Sequence, residues 1–308
     1  MPRLGVVGAT GAVGRVAVGL LGERGFDDVR LFASSRSAGT EIDGRLVEEA
    51  TPGALSAGDL DVCFFSVGSK ASRELVPHAV RGGALCVDKS EAFRLQDGIP
   101  LVVPEVNGAR ALEHDGIVAN PNCCSIPLSL VLKPLQDEAG LRAVRVATYQ
   151  SASGKGARRL QQLLDEPQAE HDLSADWSFD GEEFDEETKI REETRKILEL
   201  PELPVSATCV RVPVAVGHAE SVWVETEEPL DASRAREVLA AAPSVRVDGS
   251  PTPRAAAGGD EVLVGRIRPD RAGDGLSLHL ACDNLRKGAA LNGIQIAELV
   301  LSQRPVAA

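Results

Sequence analysis

The chain has 308 residues, 43% of them apolar and 26% charged, which excludes a disordered tail, a collagen-like repeat or a disulfide scaffold. Its formal net charge of −13, from 46 acids and 33 bases, lacks the basic footprint that nucleic acid or anionic lipid requires. At roughly 100–200 residues per domain, the length points to two domains.

No apolar run reaches the ~18 residues of a membrane span, and the first residues enter a strand pattern without a signal-peptide core, so a cytoplasmic protein is expected. The six cysteines form no C-x-x-C pair, and no metal site is expected.

Taken in chain order, short apolar runs at 4–7, 29–33, 62–66, 84–87 and 117–119 read as buried strands. Helical patterns at 12–24 and 70–81 lie between them. Strand–helix alternation with near-continuous apolar strands predicts a parallel sheet covered on both faces. A helix is expected at 125–138, a long strand at 142–150, and helices near 157–164 and 186–198. Longer, partly alternating strands follow at 205–212, 220–226, 262–268 and 276–282, indicating a mixed sheet with helices on one face. Residues 285–301 carry helical apolar spacing, and 252–260, rich in Pro, Ala and Gly, read as a mobile loop. The predicted fold class is therefore α/β, a Rossmann-type dinucleotide-binding domain plus an α+β catalytic and dimerisation domain. The expected boundaries are 1–124, completed by the C-terminal helix 285–308, and 125–284.

Gly8-Ala9-Thr10-Gly11-Ala12-Val13-Gly14 follows the first strand and opens the first helix. Glycines there permit a tight turn and let backbone amides approach a pyrophosphate at a helix N-terminus. The second strand ends in Ser34-Ser35-Arg36-Ser37 rather than in the Asp or Glu that takes an NAD ribose hydroxyl. Hydroxyls beside an arginine suit a 2′-phosphate, so NADP is the expected cofactor.

Asn120-Pro121-Asn122-Cys123-Cys124-Ser125 stands between an apolar strand and a helix. A thiolate there gains from the helix dipole, and helix amides could hold an oxyanion. Of five histidines, His218 lies between two strand patterns and follows Arg211, a planar donor fork for a carboxylate. His78 and His114 read as surface residues, and His171 sits among acids.

These motifs, with Val87–Arg94, Val103–Asn107, Thr148-Tyr149-Gln150, Ser153-Gly154, Glu186–Lys189, Glu193–Ile197 and Asp283–Asn292, occur in order along nearly the whole chain. Together they resemble the aspartate-β-semialdehyde dehydrogenase family. The resemblance implies NADP-dependent reductive dephosphorylation of aspartyl phosphate, on the route to lysine, threonine and methionine, in a homodimer acting on a small molecule. It implies Cys123 as nucleophile, His218 as acid/base and Gln150 as the group orienting substrate or water. Arg211 would take the substrate carboxylate, Glu186 its ammonium, and Arg94 with Lys189 the phosphate. The glycine loop, the Ser34–Ser37 loop, Ser153, Gly154 and Asn284 would hold the cofactor. An N-acetylglutamyl-phosphate reductase shares the chemistry, but Glu186 suits a free amine better than an acetylated one. A non-catalytic NADP-binding paralogue would be expected to lose Cys123 or His218, which are both present.

Lys89, Cys124 and Lys155 depart from the family pattern, as does the stretch 170–185. Residues 165–193 hold 13 acids against Lys189 and Arg191, a net of −11, which leaves −2 for everything else. The charge is thus one dense segment, and its acids are expected to point away from an anionic substrate.

Overall fold

A computed structural model describes residues 2–26, 28–166 and 177–303. The chain divides into two compact units, residues 1–121 with 289–308, and residues 122–288.

The first unit runs β1 (Leu4–Val7), α1 (Ala12–Glu23), β2 (Val29–Ala33), β3 (Glu41–Ile42), β4 (Arg45–Glu49), α2 (Pro52–Leu55), β5 (Val62–Phe65), α3 (Ser69–Arg81), β6 (Leu85–Asp88), α4 (Pro104–Asn107) and β7 (Ile117–Ala119). Its seven strands are ordered β3-β4-β2-β1-β5-β6-β7. All pair in parallel except the short β3–β4 hairpin. β1, β5 and β6 are buried at every position, as strands covered on both faces must be. The sequence reading omitted β3 and β4. The latter, Arg-Leu-Val-Glu-Glu, is a charged strand without clean alternation. The C-terminal helix, Leu291–Ser302, buries Leu291, Ile294, Ile296, Ala297 and Val300 in this unit's core, preceded by a π-helical turn at Arg286–Ala290. Each fully buried Leu, Ile or Val there contributes about 1.5–3 kcal/mol.

The second unit runs α5 (Ser125–Ala139), β8 (Leu141–Gln150), α6 (Ala157–Asp165), α7 (Asp185–Leu198), β9 (Val205–Arg211), β10 (His218–Thr226), α8 (Ala232–Ala241), β11 (Val245–Val247), α9 (Pro253–Ala256), β12 (Val262–Pro269) and β13 (Leu276–Cys282). Its sheet order is β11-β12-β13-β10-β8-β9. β8–β9 and β11–β12 are parallel and the other pairs antiparallel, a mixed sheet. From Val144 to Gln150 in β8 and from His218 to Val224 in β10 the even-numbered positions are buried and the odd ones largely not, so one face packs under helices while the other keeps exposure.

Two expectations change here. Residues 252–260 form more than a loop: Thr252 Oγ1 accepts from the Ala255 amide and caps the single turn α9. The sequence reading also passed over α8, whose N-cap Asp231 accepts from the Ser233 and Arg234 amides.

Candidate active site

In the first unit the glycine loop is enforced by backbone packing. Gly8 has φ +89°, and a Cβ on it would lie 2.3 Å from the Ser66 carbonyl oxygen. A Cβ on Gly14 would lie 2.1 Å from the Gly8 oxygen. Neither position tolerates a side chain, so the loop curls tightly onto the start of α1. Gly11, the N-cap of α1, supplies no side-chain acceptor to the first helical amides. That leaves an electropositive cradle suited to a pyrophosphate. The Ser34–Ser37 turn, closed by the Ser37 amide donating to Ser34 O, stands at the end of β2 with Ser34, Ser35 and Arg36 exposed. Arg94 is buried in this unit and donates to the Asn120 and Lys89 carbonyls at 3.1 and 2.5 Å.

In the second unit, strand register assembles the site. Gln150 on β8 pairs with Arg211 on β9. Ala219 pairs with Tyr149, and continuing that register puts His218 opposite Gln150. His218 in turn pairs with Cys282 on β13. Arg211, Gln150 and His218 therefore form one row on the buried face, although the sequence separates them by up to 68 positions.

Cys123 meets this row from the residues just before α5. Its Sγ lies 3.2 Å from His218 Nε2. It is also the one cysteine that is not fully buried. Burial pushes the Cys63, Cys86, Cys124, Cys209 and Cys282 thiols up, which makes them poor nucleophiles.

The far side of the imidazole fixes its tautomer. The Ser151 amide donates to His218 Nδ1 at 3.0 Å, so Nδ1 is an acceptor and the ring proton resides on Nε2. That N–H points at the sulfur, an arrangement that favours the thiolate. Cys123, Cys124 and His218 offer three ligand-type atoms within 4.8 Å of one another. The tautomer directs a proton rather than a lone pair into the cluster, so it reads as nucleophile and proton donor rather than as a metal site.

A second layer holds these groups. Asn284 Oδ1 accepts from Ser151 Oγ at 3.0 Å and from the Gly217 amide at 2.8 Å, and Asn284 Nδ2 donates to Ser153 Oγ at 3.0 Å. The structure thus places Asn284 behind the Ser151–Ser153 loop. A Cβ on Gly154 would lie 3.0 Å from Arg211 Nη1 and 3.2 Å from His218 Nε2, so a side chain there would press on both groups. Glu186 Oε1 accepts from Asn122 Nδ2 at 2.9 Å and from Gln150 Nε2 at 3.2 Å. With its amide nitrogen engaged there and on Thr148 Oγ1, Gln150 presents its carbonyl oxygen. Lys189 donates to Asp185 at 2.8 Å and lies 4.0 Å from Glu186. Arg211, 4% exposed, donates to the Ser151 carbonyl at 3.0 Å.

Two expectations are corrected. The Cys124 amide donates to Asn122 Oδ1 at 2.8 Å, so this helix-start N–H is spent locally and does not face an oxyanion. The acids of the charged segment do not all point outward. Glu193 accepts from the Asn122 amide, next to the nucleophile, at 2.6 Å, and Glu187 accepts from the Cys209 and Phe184 amides at 2.8 Å, because backbone donors withdrawn from solvent need acceptors. His171 lies outside the described residues, as does part of the 170–185 stretch.

Several residues here had no sequence signal. Trp177 lays its ring over the Arg211 guanidinium, with Cζ 4.6 Å from the ring centroid. Glu220, two residues after His218 on the same buried face, is fully enclosed, and neither carboxylate oxygen meets an N–H or O–H donor. Burial, then the neighbouring Cys123, push its pKa well up, against a smaller opposing pull from the Cys124 thiol.

The chain is similar to known proteins over nearly its whole length. The family model for the semialdehyde dehydrogenase NAD-binding domain matches residues 3–114, and that for the semialdehyde dehydrogenase dimerisation domain matches residues 132–287. The chain is 44% identical to the aspartate-semialdehyde dehydrogenase of Streptomyces akiyoshiensis, covering 98% of this chain and 99% of that one. It is 41% identical to that of Aquifex aeolicus, covering 98% of each. Aspartate semialdehyde dehydrogenase II of Vibrio cholerae, solved as a complex with ASA, superposes with a TM-score of 0.91 at 36% identity, over 98% of this chain and 99% of that one. The Candida albicans enzyme, solved with NADP, gives a TM-score of 0.78 at 26% identity over 98% of each chain.

Proposed function

The chain belongs to the aspartate-semialdehyde dehydrogenase family, and we propose that it interconverts aspartyl phosphate and aspartate semialdehyde through a thioester on Cys123, with NADP(H). The observation that carries this reading is the 3.2 Å approach of His218 Nε2 to the sole incompletely buried thiol.

The Cys123 thiolate, held by the Nε2–H of His218, attacks the acyl-phosphate carbonyl carbon. The C–O bond to phosphate breaks and a thioester remains on sulfur. The dinucleotide, when bound, supplies the hydride that reduces this thioester, or accepts it in the reverse direction. The oxygen of each tetrahedral adduct develops charge beside His218, whose Nε2–H can donate to it. The C–S bond then breaks, and the thiolate returns to its hydrogen bond with His218.

Arg211 takes the α-carboxylate and Glu186 the α-ammonium, each charge meeting its opposite. Gln150 directs its carbonyl oxygen at the reacting group, and Lys189 and Arg94 take phosphate. Gly8, Thr10, Gly11, Ala12, Val13 and Gly14 cradle the pyrophosphate. Ser34, Ser35, Arg36 and Ser37 receive the 2′-phosphate, and Ser153 and Gly154 border the nicotinamide, with Asn284 acting through Ser153. The serine–arginine turn in place of an acid supports NADP over NAD. The partly exposed face of the second sheet, with Tyr149 37% exposed beside His279, supports a homodimer formed there.

The test is a spectrophotometric assay with aspartate semialdehyde and phosphate. Phosphate-dependent reduction of NADP, with a weaker rate for NAD, is expected. Turnover independent of phosphate would contradict the acyl-phosphate chemistry, and a faster rate with NAD would contradict the cofactor reading.

A further inference from the structure

We propose that Trp177 is a positioning residue that sets specificity for carboxylate-bearing aldehydes, by fixing the plane of the Arg211 guanidinium. The inference rests on the reading of Arg211 as the carboxylate receptor.

Trp177 lies in the acidic turn that leads into α7. This turn is built to hold the indole in place. The Asp185 amide donates to Ser178 O at 2.9 Å, and the Ser178 amide donates back to Asp185 Oδ1 at 3.1 Å. Asp180 Oδ1 accepts from the Glu182 and Glu183 amides, both at 2.9 Å. Phe179 and Phe184 pair as an isolated β-bridge with ring centroids 5.4 Å apart. Phe184 then packs on Trp177 at 6.0 Å. Phe184 is also the N-cap of α7, the helix that carries Glu186 in its first turn. One aromatic cluster thus ties the indole to the start of the helix bearing the proposed ammonium receptor.

The other side of the indole meets Arg211. A guanidinium 4.6 Å from a ring centroid gains from the ring quadrupole, and more so when buried, as Arg211 is. Stacking occupies a face of the guanidinium, whereas a carboxylate is bound along its edge, in the plane. Arg211 Nη1 donates to Ser151 O at 3.0 Å. That bond fixes one point of the fork, and the indole fixes its tilt. Without the indole the fork keeps its charge but loses its fixed plane. The loss should fall on substrates that present a carboxylate and spare those that do not.

Trp177 and Trp223 are the only tryptophans, so Trp223→Phe makes Trp177 the sole indole reporter. In that background, Trp177→Leu, Trp177→Phe and the unsubstituted parent are compared on aspartate semialdehyde and on 3-aminopropanal, which lacks the carboxylate. Trp177→Leu is expected to lower kcat/KM for aspartate semialdehyde about 10-fold, mainly through KM, and to leave 3-aminopropanal within about 2-fold. Trp177→Phe, which keeps an aromatic face, should recover most of the loss. Equal losses on both aldehydes, or none on either, would overturn the proposal. If Trp177→Leu does not fold, Cys123→Ala in the Trp223→Phe background decides by binding alone. Titration with aspartate semialdehyde should shift Trp177 emission saturably, and an unchanged emission would overturn it. A parent without semialdehyde turnover would instead refute the functional reading on which the proposal rests.

Discussion

The two units prepare for their ligands by different means. The first does so with backbone: two glycines that admit no Cβ and a helix start without a side-chain cap. The second does so with side chains, brought into one row by strand register and steadied by Asn122, Ser151, Glu186 and Asn284. A backbone device is contiguous in sequence and has few substitutes. A side-chain device is dispersed along the chain, and each member can be removed separately. Mutations should therefore divide cleanly into those that abolish cofactor binding and those that abolish chemistry.

The largest separable effect is expected at His218. His218→Asn removes the Nε2–H from Cys123 and should lower kcat about 10²–10⁴-fold, while calorimetry shows NADP affinity unchanged. Loss of NADP binding in that variant would break the division.

Gly14→Ala should show the converse. A Cβ placed 2.1 Å from the Gly8 oxygen forces the loop open. NADP affinity should fall about 100-fold, with Cys123 alkylated by iodoacetamide at the parent rate. A parallel fall in alkylation rate would show that the two devices are not independent.

The smallest effect concerns the acidic turn that carries Trp177. Glu183 is held down to about 2 by the Arg191 guanidinium and by Thr188 Oγ1. A depressed carboxylate stabilises the fold above its ordinary pKa, and that contribution is lost as pH falls through the folded value. Glu183→Gln should therefore lower Tm by about 1–2 °C at pH 7, because the pair is largely solvated. The difference from the parent should shrink between about pH 4.5 and 2. A difference that persists at pH 2 would assign the loss to packing instead of charge.

Most of the architecture was legible because burial writes itself into the sequence. The strands at 4–7, 29–33, 117–119 and 276–282 begin and end where the apolar runs do. β4 was missed because it is charged, and α9 because one helical turn carries little periodicity. In the site, Cys123, Gln150, Arg211 and His218 were legible as types in order, and the structure brings all four into the second unit. The tautomer of His218 was not, since it depends on where the Ser151 amide points. Nor was Trp177, whose partner Arg211 lies 34 positions away. The charge reading found the acidic segment but misplaced Glu187 and Glu193. Composition registers a negative charge without showing which buried amide it satisfies.

The central claim is that Cys123, and not its neighbour Cys124, carries the acyl group. Mixing the enzyme with NADP and aspartate semialdehyde in the absence of phosphate should give a burst of NADPH near one per active site. Peptide mass spectrometry after acid quench should then find the aspartyl thioester on Cys123. A burst without any acyl-enzyme, or the acyl group on Cys124, would contradict the account.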